Sequence, residues 1–572
     1  MKNKEIAEIL YKISDLLELQ GEIRFKFLAY RRAAQIIESL PNDVKETYEK
    51  GGANALQEIP GVGKGISEKI EEMLKTGKVK YYEELKSKTP IEVESLMNIK
   101  GLGPKRISFL YKKLNIKNIK QLEELAKKGK IRNLPGFGEK AEENILKAIE
   151  FLKVAKKRFV LGYVWPEILE LEKEIKELKY VKRVEICGSA RRRKETIGDL
   201  DILTISDKPQ NVIEKFTKLD TVRRILAKGN TKSTVILKDN MQVDLRVLPK
   251  KSFGAAMQYF IGNQSHNVKL RRIAISKGYK LSEYGLFRGK KIVESEDERK
   301  IYEALGLEYI EPEMREDNGE IELAQKHKLP KLVALKDIKG DCHMHTKETD
   351  GTNTMEEMIE QAIKLGRKYI AFTDHSKELR FINGMNEERY LKQIEKIEKM
   401  NNIYEKKIKI LSGAELNILD SGDVDIKDSV LKQMDIVVAS IHSGFKESIE
   451  KITRRTMKAM ENPHIDIIGH PTGRIISQRE EFKIDMKEIF KKARATGTFL
   501  EINSYPSRLD IKDIYIKEAI KNKVKLVINT DSHNISHLGF MQFGVWQARR
   551  GWAEKKDILN TLPLDKFLKS LK

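Results

Sequence analysis

CGSARRRKETIGDLDIL, residues 187–203, is the stretch on which the reading of the fold turns. An apolar strand, VKRVEICG, runs into Gly188 and Ser189, and that turn opens a helix. Its amides and the Ser189 hydroxyl can therefore hold a triphosphate. Ten residues beyond Ser189 comes Asp199, then Asp201, with one Leu between them. Alternation along a strand puts both carboxylates on one face. Two carboxylates so placed repel unless cations neutralise them, and Mg²⁺ prefers such oxygens together with phosphate oxygens. A third acid, Asp244, lies in the strand MQVDLRVL and can pair beside them. Three carboxylates with two Mg²⁺ ions make the arrangement for in-line phosphoryl transfer. Strands alternate with helical stretches throughout 151–250, as in an α/β domain.

Upstream, the first 150 residues read as short helices interrupted by three similar turns: IPGVGKG (59–65), IKGLGPK (99–105) and LPGFGEK (134–140). Each is a helix-hairpin-helix pattern, and the repetition carries more weight than any one copy. Gly61, Gly63, Gly101, Gly103, Gly136 and Gly138 let the turns pass close to phosphates, and the helix that follows offers unpaired N–H groups to the anion. Binding to the DNA backbone without sequence preference is expected.

The composition agrees with this reading without deciding it. The net charge is +23, and residues 1–290 carry 60 Lys and Arg against 38 Asp and Glu. A basic half attracts a polyanion and releases its counterions, although solvated Lys-rich faces give the same count. No apolar run is long enough to span a bilayer, and MKNKEIAEIL reads as an amphipathic helix rather than a signal peptide. The two cysteines, Cys187 and Cys342, sit in unrelated motifs, so a reduced, cytoplasmic setting without disulfides is expected.

The Gly-Ser turn with the later strand aspartates is the pattern of the nucleotidyltransferase superfamily. By itself it leaves DNA polymerases, tRNA-end and poly(A) polymerases and antibiotic nucleotidyltransferases open. With the hairpins, GSARR and SFGAAMQYFIGNQSHNVKLRR (252–272), residues 1–317 closely resemble the X family of DNA polymerases, typified by DNA polymerase beta. The resemblance implies that Asp199, Asp201 and Asp244 bind two Mg²⁺ ions, with Asp244 helping to deprotonate the primer 3′-OH. It implies that Gly188, Ser189 and Arg192 hold the nucleotide phosphates. Tyr259, Phe260 and Gly262 would wall off the sugar, Asn267 would meet the base edge, and Arg271 would approach the template. Where the best-known members carry Arg two residues before the third Asp, this chain has Gln242. RFKFLAYRRAA (24–34) and GVGKGISEKIEEMLKTGK (61–78) resemble the family's lyase domain, which implies Lys69 as the Schiff-base nucleophile. Lys26, Tyr30, Lys64 and Lys78 would lie around it. The implied partners are dNTPs and gapped or nicked DNA with a 5′-phosphate, bound by a monomer.

From about residue 338 the rhythm changes to short buried strands alternating with helices, as a (β/α) barrel shows. Six of the ten histidines stand here at motif positions: His343, His345, His375, His442, His470 and His533. Asp350, Glu415 and Asp531 complete the set. Most follow apolar runs directly, which places them at the C-terminal ends of barrel strands, where such a barrel gathers its active site. Imidazoles with carboxylates suit Zn²⁺, Mn²⁺ or Fe²⁺ better than Mg²⁺ alone, and nine ligands imply two to three ions. The pattern HxH…TDG…TDHS…GAE…H…GHP…TDSH resembles the PHP (polymerase and histidinol phosphatase) domain over about 340–572, with Thr349 in place of the usual Ser. The resemblance implies that these nine residues form a trinuclear site holding Mn²⁺ or Zn²⁺. It also implies a 3′–5′ exonuclease, with AP endonuclease or 3′-phosphatase activity in some members. A metal-stabilised scaffold without catalysis, and a template-independent nucleotidyltransferase, remain as alternatives.

The expected organisation is a lyase-like helical domain (1–88), a second hairpin domain (89–150), a nucleotidyltransferase palm (151–250), a nascent-base-pair subdomain (251–317), a linker (318–339) and a distorted TIM-like PHP barrel (340–572).

Overall fold

The computed structural model describes residues 3–40, 43–89, 91–97, 99, 102–155, 158–379 and 382–572. The chain divides into two compact units, 1–157 and 158–572. No helix among the described residues is long and apolar enough to cross a membrane.

The first unit is helical. In its first helix, Asn3–Gln20, the residues Ile6, Leu10, Ile13 and Leu17 recur at helical spacing and are fully buried. They face Ala33, Ala34 and Ile37 of the helix Arg24–Ser39. Burying each such Leu or Ile stabilises the fold by about 1.5–3 kcal/mol relative to exposure. One apolar core continues from Ile6 to Ile149, through both of the segments expected as separate hairpin domains. The three turns share one backbone hydrogen bond. In each, the second apolar amide returns to the carbonyl of the first: Val62 to Ile59, Leu102 to Ile99 and Phe137 to Leu134, all at 3.0 Å. Gly61 and Gly136 take φ of +80°, a conformation that L side chains rarely adopt. Gly63 and Gly103 cap the helices Lys64–Thr76 and Pro104–Leu114, and Gly138 directly precedes Glu139–Ala155. Gly101 lies outside the described residues.

The second unit begins with a five-stranded sheet built from β1 (Arg183–Ile186), β2 (Asp199–Ile205), β3 (Val222–Lys228), β4 (Lys232–Leu237) and β5 (Gln242–Leu248). The strand order is β1-β2-β5-β4-β3, with only β2 and β5 parallel. Leu200 and Ile202 of β2 bury one face with Val243, Leu245 and Val247 of β5. Leu203 and Ile205 bury the other against Ala256, Met257 and Ile261 of the helix Phe253–Ile261.

The helix Gln264–Ser276, the helix Glu298–Ala304 and a three-stranded meander over 280–294 close around Leu270, Ile301 and Tyr302. The stretch expected as a linker adds to this core. Its helix Glu320–Gln325 buries Ile321 and Ala324, and the Glu320 carboxylate takes His266 Nδ1 at 2.7 Å. The acidic composition of 311–328 reflects ion pairing rather than solvation. Glu313, for example, holds Arg549 at 2.8 Å.

Seven parallel strands follow in sequence order: β6 (Gly340–Asp341), β7 (Tyr369–Phe372), β8 (Lys409–Asn417), β9 (Ile436–Ser440), β10 (Ile467–Ile468), β11 (Phe499–Asn503) and β12 (Leu526–Asn529). Strands buried on both faces read as unbroken apolar runs, as IVVAS and LVIN do. A parallel bridge from Met344 to Ser532 joins the ends of the first and last strands, so the sheet is a nearly closed barrel.

Candidate active sites

The parallel register of β2 and β5 sets Asp201 directly opposite Asp244 and Asp199 opposite Gln242. Gly188, at φ +57°, comes so close that a Cβ there would lie 2.1 Å from Asp201 Oδ2. The Cys187 amide donates to the Asp201 carbonyl at 2.8 Å, which ties the turn to the strand. Burial, followed by the charges of Asp199 and Asp244, pushes the Asp201 carboxyl up to about 7. Burial and Asp244 raise Asp199 as well. Crowded carboxylates with raised proton affinity are the kind of donor set a cation neutralises.

Asp244 is oriented by three neighbours that the sequence did not single out for this task. Thr234 Oγ1 donates at 2.5 Å, Gln242 Nε2 at 2.6 Å, and Lys232 Nζ stands 3.2 Å away. Gln242, noted only as a departure from the Arg of other members, therefore acts on the carboxylate itself. A cleft of about 180 Å³ opens beside these acids, lined also by Lys232, Arg246, Tyr259 and Phe260. Tyr259 and Phe260 meet edge to face at 5.1 Å. Gly262 takes φ +73°, and a Cβ there would press on Arg192 Nη1 at 3.1 Å. Arg192 Nη1 donates to the Ile261 carbonyl, while its Nε reaches Glu316 at 3.2 Å.

The second constellation gathers around Glu415, whose side chain is 1% exposed. Five imidazoles surround its carboxylate: His375 Nδ1 at 2.9 Å, His470 Nε2 at 3.0 Å, His343 Nε2 and His442 Nε2 at 3.3 Å, and His345 Nε2 at 3.6 Å. Asp531 approaches His345 Nε2 at 3.2 Å, and Asp350 approaches His533 Nε2 at 3.2 Å. All nine residues expected at strand ends thus meet in one place. Three overlapping subsets have converging donor atoms: His345, Asp350, His375 and His533; His343, His345 and Glu415; His375, Glu415 and His442.

The donor set fits metal ions. His343 Nε2, His345 Nδ1, His375 Nδ1, Glu415 Oε2 and Asp350 Oδ1 are buried and, despite their close approaches, make no hydrogen bond of good geometry, although buried polar atoms are almost always paired. Burial resists ionising Glu415, yet His343, His375 and His442 hold its carboxyl well below the usual range. Burial, with His375 and His533 close by, pushes His345 down to about 3, whereas despite burial the neighbouring carboxylates raise His343, His375 and His533. Asp350 is held down to about 2, its burial outweighed by His533, His345 and His375.

Stretches of the chain match families described as helix-hairpin-helix domain (residues 1–79), SAM-like helix-hairpin-helix tandem (93–150), DNA polymerase beta palm (167–277), DNA polymerase beta thumb (256–316) and PHP domain (341–505). Across 576 aligned residues covering 100% of both chains, it is 37% identical to the DNA polymerase/3′-5′ exonuclease PolX of Bacillus subtilis (strain 168). The chain belongs to the family X DNA polymerases that carry a PHP domain. Two partial relatives agree. DNA polymerase lambda of Arabidopsis thaliana is 25% identical over 350 residues, 55% of this chain and 62% of that one. A probable phosphatase of Thermoanaerobacter sp. (strain X514) is 30% identical over 233 residues, 39% of this chain and 89% of that one.

The remaining residues singled out from the sequence of this family X polymerase are placed less uniformly. Asn267, expected at a base edge, is committed within its own subdomain: Nδ2 donates to the Tyr259 carbonyl and Oδ1 accepts from Gln258, both at 2.7 Å. In this arrangement it braces the Tyr259 backbone, as buried polar groups are almost always paired. Arg271 lies half-buried on the helix Gln264–Ser276. Lys69 is half-buried, donates to the Gly65 carbonyl at 2.9 Å and lies 4.7 Å over the Tyr81 ring. Tyr30 is buried and stacks on Tyr81 at 6.3 Å. Lys26 pairs with Glu22 at 3.0 Å, and Lys64 and Lys78 are exposed. Thr349 donates to Asp374, a buried anchor outside the nine, at 2.7 Å.

Two residues behind the histidines were missed. Glu501 takes His343 Nδ1 at 2.7 Å and the His470 amide at 2.7 Å, and Asn417 Oδ1 meets His442 Nδ1 at 2.7 Å. Such partners fix ring orientation in metal sites. Glu501 was within reach of the sequence, since it stands inside the apolar strand FLEIN.

Proposed function

We propose that this polymerase fills short gaps during base-excision repair, and that its barrel removes mispaired or blocked 3′ ends as a 3′–5′ exonuclease. The observation that carries the first part is the register that puts Asp201 opposite Asp244, with Asp199 on the same strand face and the Gly188 turn in contact. Asp199, Asp201 and Asp244 would hold two Mg²⁺ ions, which when bound neutralise phosphate charge and favour in-line displacement. Gly188 and Ser189 offer amide and hydroxyl donors to the triphosphate, and Arg192 offers its guanidinium. Asp244, steadied by Gln242 and Thr234, takes the primer 3′-OH proton. Tyr259, Phe260 and Gly262 close the cleft where a ribose 2′-OH would need room.

In the barrel, His343, His345, Asp350, His375, Glu415, His442, His470, Asp531 and His533 would hold two or three ions, Mn²⁺ or Zn²⁺, which when bound supply Lewis acidity toward a phosphodiester. The six imidazoles and three carboxylates orient that site and keep it rigid through Glu501 and Asn417. The hairpin turns 59–65, 99–105 and 134–140 grip DNA phosphates. The Lys69 amine serves a 5′-deoxyribose-phosphate lyase step, which borohydride trapping on an incised abasic site would report.

The test of the polymerase reading is substrate choice. Templated insertion into a 5′-phosphorylated DNA gap should far exceed any addition to single-stranded RNA. Untemplated addition to RNA at an equal rate would replace the proposal with a template-independent nucleotidyltransferase.

A further inference from the structure

The loop that leads from the Gly188–Arg192 turn to β2 is gripped by the barrel domain. Arg550, which ends the barrel helix Met541–Arg550, donates from Nη1 to the Arg192 carbonyl at 3.0 Å and to Glu316 Oε1 at 3.3 Å. Its Nη2 is anchored on Asp513. The same Glu316 carboxylate accepts from Arg192 Nε at 3.2 Å and from Asn263 Nδ2 at 3.1 Å, and pairs with Lys194 Nζ at 3.3 Å. The Arg550 side chain is 3% exposed and those of Arg192 and Glu316 are each 12% exposed, so water screens these charges weakly.

Two more contacts hold the loop. Arg193 lies between Trp165 and Trp546, 4.4 and 4.0 Å from the rings. Glu195 accepts from Arg474 at 2.6 and 3.1 Å and from Gln547 at 2.7 Å.

Arg192, Lys194 and Arg550 share Glu316, Asp513 also holds Arg550, and Asp201 and Glu195 lie close enough to act on Arg192 and Arg550. A carboxylate shared among three cations binds each less tightly than it would bind one, so Arg550 keeps Glu316 from capturing Arg192 alone. Its bond to the Arg192 carbonyl also fixes the end of the turn.

We propose that Arg550, a residue of the phosphoesterase domain, is a positioning residue for nucleotide binding in the polymerase site. It sets the Arg192 turn and tempers Glu316, so that Arg192 is presented to the triphosphate. The inference rests on the reading of Arg192 as a triphosphate contact, and the experiment separates the two.

Single-nucleotide gap filling by the full chain is measured for the parent and for Arg192→Ala, Arg550→Ala, Arg550→Lys and the Arg192→Ala/Arg550→Ala double variant. The 3′-exonuclease rate of each reports that the barrel is folded. Arg550→Ala should raise KM for dNTP about tenfold or more, the scale of one hydrogen bond to a charged group, with a smaller change in kcat. Arg550→Lys should recover part of the loss, and the double variant should be no worse than Arg192→Ala alone. An Arg192→Ala KM equal to the parent's would overturn the reading of Arg192. A raised KM in Arg192→Ala beside an unchanged KM in Arg550→Ala, or additive losses in the double variant, would overturn the inference alone. Should Arg550→Ala lose the exonuclease as well, Arg550→Gln with Asp513→Asn removes the buried cation together with its counter-ion and is judged by the same KM criterion.

Discussion

Replacing Gly188 with alanine adds one methyl group at the point where the turn after β1 meets β2. The backbone there has φ +57°, and the added Cβ would stand 2.1 Å from Asp201 Oδ2, 3.0 Å from its Cγ and 3.2 Å from its Cβ. Left-handed geometry costs an L residue about 1–2 kcal/mol. The clash matters more, because a carbon and a carboxylate oxygen cannot approach so closely and Asp201 must retreat by about 1 Å. Misplacing a catalytic group by that distance costs about a hundredfold in rate. Gly188→Ala should therefore lower kcat for insertion into a 5′-phosphorylated gap by about a hundredfold, with stability reduced by only about 1–2 kcal/mol. The 3′-exonuclease of the same preparation should be unchanged, since the barrel site uses neither residue. A gap-filling rate within about threefold of the parent would refute the reasoning, because the carboxylate would then have moved without consequence.

Other consequences follow from the same geometry. Gln242→Ala removes a 2.6 Å bond to Asp244, and losing a hydrogen bond to a charged group is worth about 1.5–3 kcal/mol. Extension should slow by about tenfold or more and need more Mg²⁺, as a metal titration would show; an unchanged Mg²⁺ midpoint would remove Gln242 from the site. Because burial and the neighbouring acids raise Asp201 from 3.8 to about 7, its ionisation costs the metal-free fold stability. That cost is absent below pH 3.8 and complete above about 7, so the metal-free melting temperature should fall as pH rises through this window. Asp201→Asn should flatten the slope and added Mg²⁺ should reverse it, whereas an equal slope in Asp201→Asn would assign the effect to other groups.

Much of the fold was legible because its signals are local. The hairpin turns repeat within seven residues, and the backbone bonds Val62 to Ile59, Leu102 to Ile99 and Phe137 to Leu134 recur with the repetition. The barrel was legible for a related reason: an apolar run ending in His or an acid is a strand-end signature readable one strand at a time.

What the sequence did not disclose is what depends on distant partners. Nothing in DLDIL or MQVDLRVL says that Asp201 rather than Asp199 stands opposite Asp244; the pairing register decides it. Arg550 meets Arg192 across 358 positions and Arg474 meets Glu195 across 279, so no periodicity marks the surface where the palm meets the barrel. The helix Glu320–Gln325 was hidden by its own charges, since Glu320 reads as solvated until His266 is found against it.

The most direct test of the central claim, two independent active sites on one chain, is a time course on gapped DNA with a mismatched 3′ end. Parent, Asp199→Ala/Asp201→Ala and His343→Ala/His345→Ala proteins are compared in Mg²⁺ and in Mn²⁺. The parent should trim the mismatch and then fill the gap. The aspartate variant should trim without filling, and the histidine variant should leave the mismatched end untrimmed yet still fill a correctly paired gap. Extension surviving in the aspartate variant, or trimming surviving in the histidine variant, would contradict the account.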